Sequence, residues 1–372
     1  MTYRFGDLVA FAAELLSKTG LDGDKPDVVA RLLVTADAMG HTTHGLAQLA
    51  DYLEEIEAGR MARAGEPEVV SDRGATLVWD GRRLPGVWLA ARAVELAAAR
   101  AKAHGICAIS IRRSHHIACL AAFLPAATEA GMMAIVASSD PSTAHVAPFG
   151  GTRAVFTPDP IAIGIPTDGD PILIDISASI TTAGMSARLR REGGRFAGPW
   201  ALDAKGRATD DPNVLFADPP GTLLPAGGTD HGHKGYGLAL MIEALTQGLS
   251  AYGRADGETH WGASVFVEVF DPEAFAGRAG FIRQAAWTAA ACRANPPAVT
   301  GRPVRLPGAN AMEGLRRAKA EGLALHPGIL ENLAPWGRKL DVAVPKPGPP
   351  KPGPHGCSPL AGELSAQPTK WH

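Results

Sequence analysis

The sequence predicts an α/β fold: a mixed-sheet domain in the middle of the chain and a mainly helical second domain built from both chain ends. Two patterns carry that prediction. Between residues 75 and 270, short apolar runs bounded by Gly, Pro and Asp alternate with helical stretches, whereas apolar residues recur at helical spacing before 74 and after 271. A third observation sets the scale, because 372 residues exceed what one core usually fills and, at about 150 residues per domain, imply two. The boundaries drawn are 1–74 and 271–343 for the helical part, 75–270 for the sheet domain, and 344–372 for a tail.

Taken in order, Asp24-Lys-Pro-Asp27 opens a helix with Val28, Val29, Leu32, Leu33 and Ala36 on one face. Asp24 suits the cap and Pro26 the first turn. It ends near Gly40. After His41-Thr-Thr-His44-Gly45 a second helix places Leu46, Leu49, Ala50, Leu53 and Ile56 inward, with His44 and Gln48 as neighbours four residues apart. Ala75–Trp79 then reads as a strand, Val87–His104 as an alanine-rich helix ended by Gly105, and Ile106–Ile111 as a strand. Met133–Ser138, Ile161–Ile165, Ile172–Ile176 and Ser264–Phe270 read as further strands. Phe281–Arg293 and Ala311–Glu321 return to helix. Beyond Val344 the run Pro345 to Pro354 is too rich in proline and glycine for a ladder or a helix, so a disordered tail is expected.

One segment stands apart. His231-Gly-His-Lys-Gly-Tyr-Gly-Leu238 precedes an apolar repeat at Leu238, Met241, Ile242, Leu245 and Leu249. Lys234 therefore falls where a helix begins, beside unpaired N–H groups and the positive end of the helix dipole, a natural place for a phosphate or carboxylate.

A net charge of −2, with no block of like charge, argues against nucleic acid or an anionic membrane as partner and leaves small-molecule chemistry. Cys107, Cys119, Cys292 and Cys357 are scattered with no C-x-x-C pair, as in a reduced, cytoplasmic protein. The start, Met-Thr-Tyr-Arg-Phe-Gly-Asp, lacks the apolar core of a signal peptide, and no apolar stretch is long enough to span a bilayer.

Ser114-His115-His116-Ile117 follows a strand and offers an imidazole that titrates near neutrality, fit to move a hydroxyl proton. The turn-rich stretch from Asp140 to Gly151, with Thr157-Pro-Asp-Pro160 and Asp175 to Ser179, supplies strand ends bearing groups that hold ribose or phosphate hydroxyls or simply make turns. The G-x-G-x-x-G fingerprint is absent; Gly235-Tyr-Gly237 lacks the third glycine. Any dinucleotide must therefore bind on another fold. Histidines 41, 44, 115, 116, 145, 231 and 233 are numerous, yet no H-E-x-x-H or cysteine cluster organises them, and no metal is assigned.

Together the motifs resemble the malate/L-lactate dehydrogenase family of the sulfolactate dehydrogenase type, which includes ureidoglycolate dehydrogenase, diketogulonate reductase and cyclic-imine carboxylate reductases. The resemblance spans roughly Phe5 to Val342. It rests on Ala36 to Gly45 with Tyr52 and Gly59, Ser114-His-His116, Ala147-Pro-Phe-Gly-Gly151, Asp159 to Ile163, and Asp175 to Ser179. Trp200 to Asp203 with Gly206 and Asp211-Pro212, Gly232 to Leu238, and Leu306-Pro-Gly308 complete it in family order.

That resemblance implies a homodimer with a non-Rossmann α/β domain binding NAD or NADP. It also implies His116 as catalytic acid/base, His44 and Gln48 in the substrate pocket, and Ser139, Thr157, Asp159, Asp175 and Lys234 at the cofactor. Four positions depart from the family pattern: Gln48 replaces an arginine suited to a bidentate carboxylate clamp, Pro158-Asp159 replaces Thr-Asn, and Ala118 replaces glycine. Losing that clamp forfeits about 1.5–3 kcal/mol of charged hydrogen bonding, which opens the substrate beyond plain malate or lactate. The expected reaction is hydride transfer between nicotinamide and a 2-hydroxy or 2-oxo acid. The alternatives are cyclic-imine carboxylate reduction on the same scaffold, a metal-dependent hydrolase, and a nucleotide-binding protein without turnover.

Overall fold

A computed structural model describes residues 1–348; the tail expected to be disordered lies outside the described residues from position 349 onward. The N-terminal layer comprises α1 (Phe5–Thr19), α2 (Lys25–Ala38) and α3 (Leu49–Glu57), the last preceded by a 3-10 turn at Leu46–Gln48. The α2 face read from the sequence is buried. Asp24 does occupy the cap position but does not cap: its backbone is already helical, and its carboxylate accepts the indole N–H of Trp88 at 2.8 Å.

The central part runs β1 (Glu68–Asp72), β2 (Thr76–Asp80), α4 (Gly86–His104), β3 (Ile106–Ser114), α5 (Pro125–Thr128), β4 (Met133–Ser139), β5 (Pro160–Ile165) and β6 (Ile172–Ser177). α6 (Ala183–Arg191), three short strands β7 (Ala201–Leu202), β8 (Ala208–Thr209) and β9 (Thr222–Leu223), α7 (Gly228–His231), α8 (His233–Glu243) and β10 (Ala263–Phe270) follow. The chain ends with α9 (Arg278–Arg293), α10 (Ala309–Glu321) and α11 (Ile329–Leu340).

Seven strands form one mixed sheet in the order β1-β2-β3-β10-β4-β5-β6. Only β2 and β3, joined across α4, run parallel; the other neighbours are antiparallel. β10 enters last and fills the centre, pairing Phe270 with both Ile106 and Met133. A strand paired on both edges and covered on both faces needs apolar side chains at nearly every position, as Ala263–Phe270 has. On one face, α4 packs with the N-terminal helices and with α10 and α11 in one continuous core. Tyr3 pairs with Leu323, so the two chain ends meet. On the other face a smaller core joins Ala137, Ile161 and Phe266 to Leu223 of the small sheet and to Ala239 and Ile242 of the α8 segment.

The α8 face differs from the expected one. Met241 and Leu249 are 45% and 56% exposed, and the inward line is Gly235, Ala239, Ile242 and Thr246. Two causes combine. A Cβ on Gly235 would lie 2.3 Å from the Ala226 nitrogen and 2.5 Å from the Ala178 oxygen, so this side must face the sheet. Residues Ala244–Gly248 then form a π-helical turn, which shifts the repeat by one residue.

Candidate active site

Five strand ends meet at one rim of the sheet. Ladder register pairs Ser114 at the end of β3 with Ala263 at the start of β10, Ser139 at the end of β4 with Ser264, and Ser177 at the end of β6 with Pro160 at the start of β5. At this rim lies a cavity of about 440 Å³, lined by His116, Ser139, Thr157 and Asp175, with the turn carrying His41, His44 and Gln48 opposite. Trp261 and Ile117 supply apolar surface. Among the described residues no lysine or arginine lines it.

His116 sits in this cavity while its neighbour His115 turns into the core. The imidazole of His116 stacks on Trp261, with centroids 5.1 Å apart at 28°. Its Nδ1 lies 2.8 Å from the hydroxyl of Tyr52, whose hydroxyl is also 3.3 Å from the His116 carbonyl oxygen. Tyr52 therefore serves either neutral tautomer: it donates to Nδ1, or accepts Nδ1–H while donating to the carbonyl. Among the described residues no protein group bonds Nε2. Burial, with lesser repulsion from His44 and His115, pushes the His116 pKa well below the ordinary histidine range, which favours the neutral ring. Burial likewise lowers His44 and His115 to about 4 and raises the Tyr52 hydroxyl well above its usual range. Gly86 makes the arrangement possible, because a Cβ there would fall 1.9 Å from the His115 carbonyl oxygen.

His44 does not lie on the helix as the spacing suggested. It ends a turn before the 3-10 segment, its Nδ1 2.8 Å from the Thr43 hydroxyl, and Gln48 donates back to the Thr43 carbonyl at 2.8 Å. Two groups outside the cavity hold that turn. Asp37 accepts the Leu46 N–H at 2.7 Å, and Arg188 donates to the hydroxyl and carbonyl of Thr42 at 2.9 and 3.0 Å. Burial raises the Asp37 pKa to about 7.

On the strand side, the Ser139 hydroxyl is 2.8 Å from that of Thr246 and accepts from Gln247 at 3.0 Å, both from the π-helical turn. Thr157 donates to Asp159 at 2.6 Å. Asp175 accepts the Ala121 N–H at 2.9 Å, and the donor atoms of His41, Cys119 and Asp175 lie within 4.8 Å of one another.

The chain matches the malate/L-lactate dehydrogenase family over residues 3–334. It belongs to that family. It is 30% identical to an L-lactate dehydrogenase from Cupriavidus necator over 345 residues, covering 90% of this chain and 96% of the relative. It is 31% identical to a (2R)-3-sulfolactate dehydrogenase (NADP(+)) from Chromohalobacter salexigens over 349 residues, covering 90% and 96%. Among solved structures, malate dehydrogenase from Entamoeba histolytica superposes with a TM-score of 0.87 at 22% identity, covering 93% of this chain and 99% of that one.

Within this malate/L-lactate dehydrogenase family member, two sequence-assigned residues do not line the cavity. Asp159 is fully buried: its φ of 45° turns the side chain inward, toward Thr157 and the charge of Glu243, and burial raises its pKa to about 8. Lys234 does begin a helix, but it is exposed there and absent from the lining. α8 is nonetheless anchored beside the rim, since Gly235 N–H bonds Ala226, which bonds Ala178 next to Ser177. Tyr52, Trp261, His41 and Cys119 received no role from the sequence. Tyr52 and His41 carried a signal, each as part of a quoted family motif.

Proposed function

We propose that the chain is an NAD(P)-dependent dehydrogenase that interconverts a 2-hydroxy acid and its 2-oxo acid, with His116 as acid/base. The observation that carries this is the pairing of His116 with Tyr52 at 2.8 Å inside the cavity, with Nε2 left for a substrate oxygen. The donor set fits a nicotinamide nucleoside: hydroxyls of Thr157 and Ser177, the carboxylate of Asp175 and the indole of Trp261 offer partners for ribose, carboxamide and a flat ring. A nicotinamide held by these groups would supply the hydride acceptor or donor for the substrate carbon. Ser139, tied down by Thr246 and Gln247, fixes the floor, and Lys234 at the start of α8 is assigned to the phosphates.

In oxidation, Nε2 of neutral His116 takes the hydroxyl proton, so negative charge does not accumulate on oxygen; such positioned proton transfer supplies about 10²–10⁴ in rate. Tyr52 holds the ring while it changes charge. His44 and Gln48 orient the acid. The three described free cysteines suit a reducing, cytoplasmic setting, and exposed Leu240, Met241 and Leu249 suit a second copy in a homodimer.

A panel of 2-oxo acids and cyclic imine carboxylates with NADH and NADPH, read by absorbance, tests the reading. Turnover on 2-oxo acids is expected, and His116→Asn is expected to abolish it while nucleotide binding persists. Turnover confined to imines would move the proton from oxygen to nitrogen, and wild-type kcat in the variant would remove His116 from the role.

A further inference from the structure

Three residues, of which the proposed hydride chemistry uses only Asp175, come from three elements to one side of the cavity. His41 follows α2, Cys119 precedes the 3-10 turn Leu120–Phe123, and Asp175 lies on β6. Their ring nitrogen, thiol sulfur and carboxylate oxygen are mutually within 4.8 Å. We propose that this triad is a site for a divalent, borderline-soft cation of the zinc type, with its fourth coordination position open to the cavity that all three residues line.

The donor types support it. One imidazole, one thiolate and one carboxylate are zinc ligands, and three protein ligands with an open position are the pattern of zinc sites that hold a small molecule. With bonds of about 2.0–2.3 Å, the donors need to close by about an ångström around the ion. Charge supports it as well. A divalent ion with one thiolate and one carboxylate is neutral, whereas a thiolate alone is costly at the buried Cys119. The carboxylate is already oriented, because Asp175 Oδ2 accepts the Ala121 N–H at 2.9 Å and faces the Cys119 thiol at 3.7 Å; an ion would take the place of the thiol proton between them. His41 is held by its backbone N–H on the Ala36 carbonyl at 2.9 Å. The ion would also be the one fixed positive charge in a lining that has no lysine or arginine among the described residues, placed to accept a carboxylate oxygen of an acid. Only this last consequence rests on the proposed function; ion binding does not.

The test uses the full chain stripped with chelator, then titrated with Zn2+ by calorimetry and with Co2+ by absorbance, without nucleotide. One ion per chain and a near-ultraviolet thiolate-to-Co2+ charge-transfer band are expected. Cys119→Ala is expected to abolish the band, and both it and His41→Asn to weaken Zn2+ binding by about tenfold or more. No saturable binding in the wild type overturns the proposal, as does binding unchanged in both variants, which would place the ion on exposed histidines such as His231 and His233. Pyruvate is the probe for the open position: a shift of the visible Co2+ bands supports it, and unchanged bands overturn the substrate-facing part. Nucleotide titration of the same stripped chain reports separately on the dehydrogenase reading.

Discussion

The cavity wall formed by His41–Gln48 is a turn with a few local backbone bonds, held to the rest of the molecule by single side chains, whereas the wall formed by the ends of β4, β5 and β6 is fixed by ladder register. On the turn side, the Asp37 carboxylate on Leu46, the Arg188 guanidinium on Thr42 and the Gln48 amide on Thr43 each hold one point. On the strand side, backbone pairs such as Ala137 with Ile161 and Pro160 with Ser177 place the chain whatever the side chains are. A turn held this way tolerates little change. A ladder spreads the same load over many bonds.

The comparison is sharpest at Gly45, where a Cβ would sit 2.4 Å from the Asp37 carboxylate. Gly45→Ala is expected to cost about 1–3 kcal/mol in denaturant melts. Displacing His44 by about an ångström should cost about a hundredfold in kcat/KM. Tyr52→Phe removes the group that holds His116 Nδ1, and is expected to lower kcat about three- to tenfold, with a shifted pH profile and little change in nucleotide binding. An unshifted profile would make Tyr52 merely a packing residue.

Asp37→Asn gives a smaller and signed effect. With a folded pKa of about 7 against an ordinary aspartate value of 3.8, the native state binds the extra proton between those values, so this group lowers stability as pH rises through that window. The amide keeps an acceptor for Leu46 N–H without the buried charge. The variant should match the wild type near pH 4 and exceed it at pH 8, with Tm rising roughly 2–4 °C per kcal/mol. Smallest of all, Ser138→Ala on the strand wall should stay within about 0.5 kcal/mol of wild type. A loss there equal to that at Gly45 would erase the difference between the walls.

What was legible in the sequence follows the same division. Strands such as Ile106–Ile111 and Met133–Ser138 announced themselves because a doubly covered strand must be apolar throughout, and their ends located His116 and Ser139. β1 is an exposed edge, and β7, β8 and β9 are two residues each, too short for any periodicity to show. His44 was misplaced onto a helix because a 3-10 turn begins two residues later, which spacing alone does not reveal. Asp159 looked like its neighbours until a positive φ turned it inward. Trp261 and Cys119 reach the site only through the insertion of β10 and the approach of β6, contacts between segments far apart in the chain.

The Tyr52 hydroxyl can give a hydrogen to the ring nitrogen of His116 or take one from it. A site so paired lets one ring collect a proton in one direction and hand it back in the other. The flow of matter through it would follow the surrounding ratio of oxidised to reduced carrier, and a change in metabolic demand could reverse it without any rebuilding of the protein.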